Sequence, residues 1–94
     1  WLGPLPEIEF FEDGGEEFAL ISIYQKKGGW EVELSADLGE FLLQMLSQFR
    51  PKNQISIDFR TFQKAFEEAG FQQFSQFVQS SLFEQLRQQG LLLL

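Results

Sequence analysis

A small α+β domain is expected from this chain, a three-stranded antiparallel meander that gives way to about three helices. Three features carry the expectation. Apolar and polar residues alternate up to Leu34, two glycine pairs interrupt the alternation, and from Leu38 onward apolar residues recur at spacings of three and four. At 94 residues the chain falls in the single-domain range, where folding buries only about 60–65% of the surface that the unfolded form exposes. The core must come largely from the 12 phenylalanines, in a composition that is 44% hydrophobic and 22% charged. Such a composition folds rather than staying disordered.

Gly3, Pro4 and Pro6 mark residues 1–6 as an extended linker, leaving 7–94 as one domain. Trp1 has no initiator methionine before it, so the chain is expected to be a piece excised from a longer one. Glu7-Ile8-Glu9-Phe10-Phe11-Glu12 alternates as a half-buried strand does, and Asp13-Gly14-Gly15 tolerates the positive φ of a tight hairpin. The run Phe18 to Tyr24 is dense in branched and aromatic residues and should be the central strand. Lys26-Lys27-Gly28-Gly29 makes a second turn, after which Trp30, Val32 and Leu34 share one face of a third strand.

Leu38, Phe41, Leu42, Met45, Leu46 and Phe49 then form one stripe of an amphipathic helix, capped by Ser35 or by Asp37 in a capping box with Glu40. Pro51 should end it near Phe49. Gln54 to Asp58 reads as an extended lead into a second helix carrying Phe59, Phe62, Phe66 and Ala69, with Ser56 or Asp58 as its cap and Gly70 as its stop. Phe71, Phe74, Phe77 and Val78 continue the stripe, and Ser81 with Glu84 has capping-box spacing before Leu82 and Leu86. That region is one bent helix or two short ones. Leu91 to Leu94 lies past the last glycine and should pack as a strand or a buried tail.

The same residues remove many chemistries. There is no histidine and no cysteine, so the commonest general base, metal ligand and thiol nucleophile are missing. A phosphate-cradling loop and a nucleophile elbow are also missing. Paired carboxylates for sugar hydrolysis would need a cleft that so small a domain has little interior to hollow out. The acidic run Glu12 to Glu17 lacks the spacing of a calcium loop. No catalytic residue, cofactor or metal is expected. No apolar run approaches the roughly 20 residues that span a bilayer, and a soluble, cytoplasmic protein is the default expectation.

Charge is unevenly placed. Residues 1–49 carry ten acidic and two basic side chains, a balance of −8, and residues 50–94 carry four and five, a balance of +1. The net −7 argues against nucleic-acid binding. Arg50, Lys52, Arg60 and Lys64 are the one candidate basic patch. Phe10, Phe11, Tyr24 and Trp30 lack interleaved basic residues and are flanked by Glu7, Glu9, Glu31 and Glu33, so core packing is the expected role of these aromatics. The helical phenylalanines outnumber the needs of one thin core, and some are expected in a groove or a dimer face.

The order of three strands and then helices, closing on Leu86, Gly90, Leu91 and Leu92, resembles the winged-helix accessory modules attached to modifying enzymes. Among these are peptide-recognition domains similar to the pyrroloquinoline quinone chaperone. The resemblance covers Glu16 to Leu92 in element order and the leucine-glycine-leucine tail locally. It implies a winged-helix-like fold and a non-catalytic module that binds a protein, a peptide or a neighbouring domain. An extended peptide would add to the strand Trp30 to Leu34, with Trp30, Val32, Phe77 and Leu82 as anchors. The alternatives are a homodimerisation domain and a nucleic-acid-binding winged helix that uses the basic patch.

Overall fold

Alternation and glycine turns produce the expected meander. The computed structural model describes residues 5–25, 28–49, 51 and 56–93. Strands β1 (Glu7–Asp13), β2 (Glu16–Gln25) and β3 (Gly28–Ser35) pair antiparallel in the order β1-β2-β3, so β2 is central and β3 is an edge. Gly14 and Gly15, at φ 63° and 84°, close the first hairpin and set Asp13 opposite Glu16. Lys26 and Lys27 lie outside the described residues. Contacts gather the chain into two units, an N-terminal one ending at Gln48 and a C-terminal one beginning at Phe49.

In the N-terminal unit the register assigns the faces, because residues directly opposite across a ladder point to the same side. Ala19 stands opposite Phe10 and Leu34, Ile21 opposite Ile8 and Val32, and Ile23 opposite Trp30. Helix α1 (Ala36–Leu46) lies against this side, leaving Ala19 and Ile21 at 0% exposure. Ser35, extended at φ −62° and ψ 151°, caps α1 by accepting from the Leu38 N–H at 3.3 Å. Asp37 therefore falls inside the first turn, where a negative charge suits the helix N-terminus, and forms no capping box with Glu40.

The helix stops at Leu46, short of Phe49. The Ser47 hydroxyl donates to the Gln44 carbonyl at 2.8 Å, and the Gln48 N–H turns to Met45, only three residues back.

Gly39 is the tightest point of the unit. It is buried in mid-helix, and a Cβ built there would sit far inside van der Waals contact of the Ala19 Cβ and 3.4 Å from Phe10 Cε1. Glycine costs a helix about 1 kcal/mol relative to alanine. Here it permits a backbone approach that a methyl group would block.

The C-terminal unit contains β4 (Ile57–Asp58), α2 (Phe59–Glu68), α3 (Phe74–Val78), α4 (Ser81–Gln88) and β5 (Leu92–Leu93). Counting α1, the described residues form four helices, the region after Gly70 being two short helices, one of the two forms expected for it. Gln54 and Ile55, at the start of the extended lead, lie outside the described residues. Ile57 pairs with Leu92 and Asp58 with Leu93 in a parallel ladder, reinforced by the Ile57 N–H donating to the Leu91 carbonyl at 2.8 Å. Parallel strands need a crossover, and α2, α3 and α4 supply it. Asp58 also caps α2. It accepts from the Thr61 hydroxyl and, at 3.1 Å, from the Thr61 N–H, and these bonds hold its carboxyl below the usual aspartate range.

Helices α2 and α4 end alike. After α2 the Gly70 N–H reaches Glu67 and the Phe71 N–H reaches Phe66; after α4 the Gly90 N–H reaches Arg87 and the Leu91 N–H reaches Leu86. Both are Schellman motifs, with the glycines at φ 92° and 77° and an apolar residue folded back on the helix. The leucine-glycine-leucine tail is thus a helix stop that delivers Leu91 and Leu92, each 2% exposed, into the interior. Ser80, not Ser81, caps α4, accepting from the Phe83 N–H at 3.2 Å. The helix starts one residue early, so Glu84 misses the capping-box position and pairs with Arg87 instead.

Between these helices Phe62, Phe66, Phe74 and Phe77 contact one another in every combination, with ring centroids 5.1 to 6.4 Å apart. Each such pair adds about 0.5–1.5 kcal/mol beyond the burial of its area.

Two substitutions test this packing. Gly39→Ala lowers stability by about 1–3 kcal/mol despite its better helix propensity, because the added methyl overpacks against Ala19; a reduced denaturant midpoint reports it, and Ala19→Gly in the same chain recovers part of the loss. Phe62→Ala costs about 3–5 kcal/mol, seen as faster amide exchange across α2 and α4.

Candidate partner-binding face

The side of the sheet away from α1 has a different composition. β2 sets Phe18, Leu20, Ser22 and Tyr24 along its centre. Across the two ladders Leu20 stands between Glu9 and Glu33, Ser22 between Glu7 and Glu31, and Phe18 between Phe11 and Ser35. A spine of Phe18, Leu20 and Tyr24, interrupted by Ser22, therefore runs along the centre, with a row of carboxylates from each neighbouring strand beside Leu20 and Ser22. Neighbouring strands are about 4.8 Å apart, so the rows are separated by about 9.6 Å. Glu7, Glu9, Glu31 and Glu33 are all exposed, and Asp13 and Glu16 add two more carboxylates where the hairpin closes. No lysine or arginine occurs among the described residues of this unit.

The spine is partly open to solvent. Phe11 is 39% exposed and Tyr24 53%, while the Phe11 and Phe18 rings stack at 5.7 Å. The Tyr24 hydroxyl donates to Glu7 Oε2 at 3.1 Å. That bond and the Glu7 charge hold the phenol above the usual tyrosine range, and the charges of Glu9 and Glu31 push the same way. A surface of this kind can bury apolar side chains and accept hydrogen bonds from cations.

The residues singled out in the sequence fall elsewhere. Trp30 and Val32 are half-buried and share the α1 side with Ile23 and Ile21. Phe77 and Leu82 are interior to the C-terminal unit at 9% and 3% exposure, Phe77 within the ring cluster. Arg60 and Lys64 are exposed one turn apart on α2, whereas Arg50 and Lys52 lie outside the described residues. In the acidic hairpin Glu12 pairs with Glu17 and Asp13 with Glu16 on alternate faces, which disperses them. Among the described residues no group of three or more acidic side chains could hold a metal ion, and no helix is long and apolar enough to cross a membrane.

One expectation about aromatic residues changes. Core packing is the expected role of Phe10, Phe11 and Tyr24, yet all three are exposed, Phe10 at 48%. One helix covers one face of a sheet, and Phe11 and Tyr24 are on the other. Conversely, Phe41, Phe49, Phe59, Phe62, Phe66, Phe74 and Phe77 are all buried or half-buried. Phe59 and Phe74, both half-buried, line an external groove of about 520 Å³ together with Gln63, Glu67 and Val78, as expected of some of the helical phenylalanines. The sequence signal for the sheet face was the parity of β2 against the glutamates once the Gly14-Gly15 turn sets the register.

No protein-family model, curated protein or solved structure matches this chain.

Tyr24 is the chain's one tyrosine, so alkaline ultraviolet difference spectra read this face alone. It should titrate above pH 10, and Glu7→Gln should bring the midpoint back toward that of a free tyrosine.

Proposed function

We propose that this chain is a non-catalytic interaction module of the cytoplasm, an accessory domain that binds a protein or peptide partner. The observation that carries the reading is the sheet face away from α1, where Leu20 stands between exposed glutamates, Phe18 beside the exposed Phe11, and the exposed Tyr24 at the far end. Solvent-facing sides of antiparallel sheets are ordinarily polar, and an apolar spine there suits a surface that is covered by something else. The resemblance to winged-helix accessory modules supports a role in partner contact, and the edge position of β3 leaves backbone groups free for an added strand. Two copies meeting through this face would oppose like charges, which weighs against dimerisation there. Arg60 and Lys64 offer two cations, few for duplex binding.

Panning the immobilised full chain against a random peptide library tests the reading. Peptides that bind the native chain should lose most of their affinity for Phe11→Ser/Tyr24→Ser, a variant whose circular dichroism stays native because both side chains are exposed. Recovery of no binders, or of binders indifferent to that variant, overturns it.

A further inference from the structure

We propose that the uncovered sheet face takes a basic amphipathic helix, its apolar stripe resting on Phe18 and Leu20 and its arginine or lysine side chains over the two glutamate rows. The inference rests on the interaction-module reading and names the partner's chemistry. Width is the first argument. An α-helix with side chains is about 10–12 Å across, close to the roughly 9.6 Å between the β1 and β3 rows. A helix lying along β2 can therefore send cations to Glu7 and Glu9 on one flank and to Glu31 and Glu33 on the other. A single extended strand, about half as wide, cannot lie on the spine and serve both rows equally.

Charge complementarity is the second argument. The face presents Glu7, Glu9, Asp13, Glu16, Glu31 and Glu33, and the described residues of this unit supply no cation to answer them. Phosphates, anionic membranes and a second copy of the face are all repelled. A cationic partner is attracted, and it relieves the repulsion among carboxylates held on one surface. Precedent exists in the same sheet, whose opposite side already carries α1 with apolar residues against Ala19 and Ile21. The spine from Phe18 to Tyr24 is about 20 Å long, which sets the partner helix at about 14 residues.

The test titrates the full chain into a fluorescein-labelled leucine/arginine helical peptide of about 14 residues, followed by anisotropy. Saturable binding is expected, weakening as salt rises. Replacing all four glutamates, Glu7→Gln, Glu9→Gln, Glu31→Gln and Glu33→Gln, should weaken it by about tenfold while leaving the circular dichroism native. A peptide with glutamate in place of arginine should not bind. Equal affinity for the quadruple variant, or equal binding by an isomer with a central proline that cannot be helical, overturns the proposal. Library peptides that bind through Phe11 and Tyr24 but carry no positive charge also overturn it, and they leave the interaction-module reading standing.

Discussion

The N-terminal unit is organised by the approach of α1 to β2 at Gly39 and Ala19. A glycine in mid-helix and an alanine in the central strand are the smallest side chains available, and together they bring one backbone against the other. Ala19, Ile21, Ile23 and Leu34 are sealed as a result. The same contact commits α1 to one side of the sheet, and the character of the opposite side follows. An 11-residue helix can cover only one face of a three-stranded sheet, so α1 leaves the residues that β2 points the other way without its cover.

The C-terminal unit solves its own packing differently. It relies on aromatic rings brought together by short helices whose ends are stopped by glycine. The Schellman turns after α2 and α4 fold Phe71 and Leu91 back onto Phe66 and Leu86. In doing so they satisfy carbonyls that a helix end would otherwise leave open. The second of these turns also aims Leu92 at Ile57, which makes the parallel pair. A tail that resembles a family feature is here accounted for by helix-stop mechanics.

Separation of charge from apolar area links the fold to the proposed role. The edge strands carry the two glutamate rows, Glu7 and Glu9 on β1 and Glu31 and Glu33 on β3, and the central strand carries the spine. Exposed carboxylates on both edges discourage strand-to-strand aggregation while leaving the centre apolar. In the proposed role this arrangement would make the apolar centre selective by charge. It also explains why Tyr24 is the group whose titration senses the field, standing at the end of the spine beside Glu7.

Much of the architecture was legible in one dimension. Alternation up to Leu34, the glycine turns, the stripe from Leu38 and the stop at Gly70 each reflect a local rule, and local rules operate through nearest neighbours along the chain. Ser35 and Asp58 were readable as caps for the same reason, while Ser80 was missed by one residue because capping depends on where φ and ψ leave the helix. The destination of each aromatic was not legible. Phe10, Phe11 and Tyr24 look like core in a strand pattern, and Phe59 to Phe77 look like a surplus. Which of them is sealed depends on the side of the sheet that α1 occupies and on how α2, α3 and α4 close around one another. Those are long-range contacts, and only the tertiary structure decides them, because burial is a property of surfaces that meet and not of the residues that compose them.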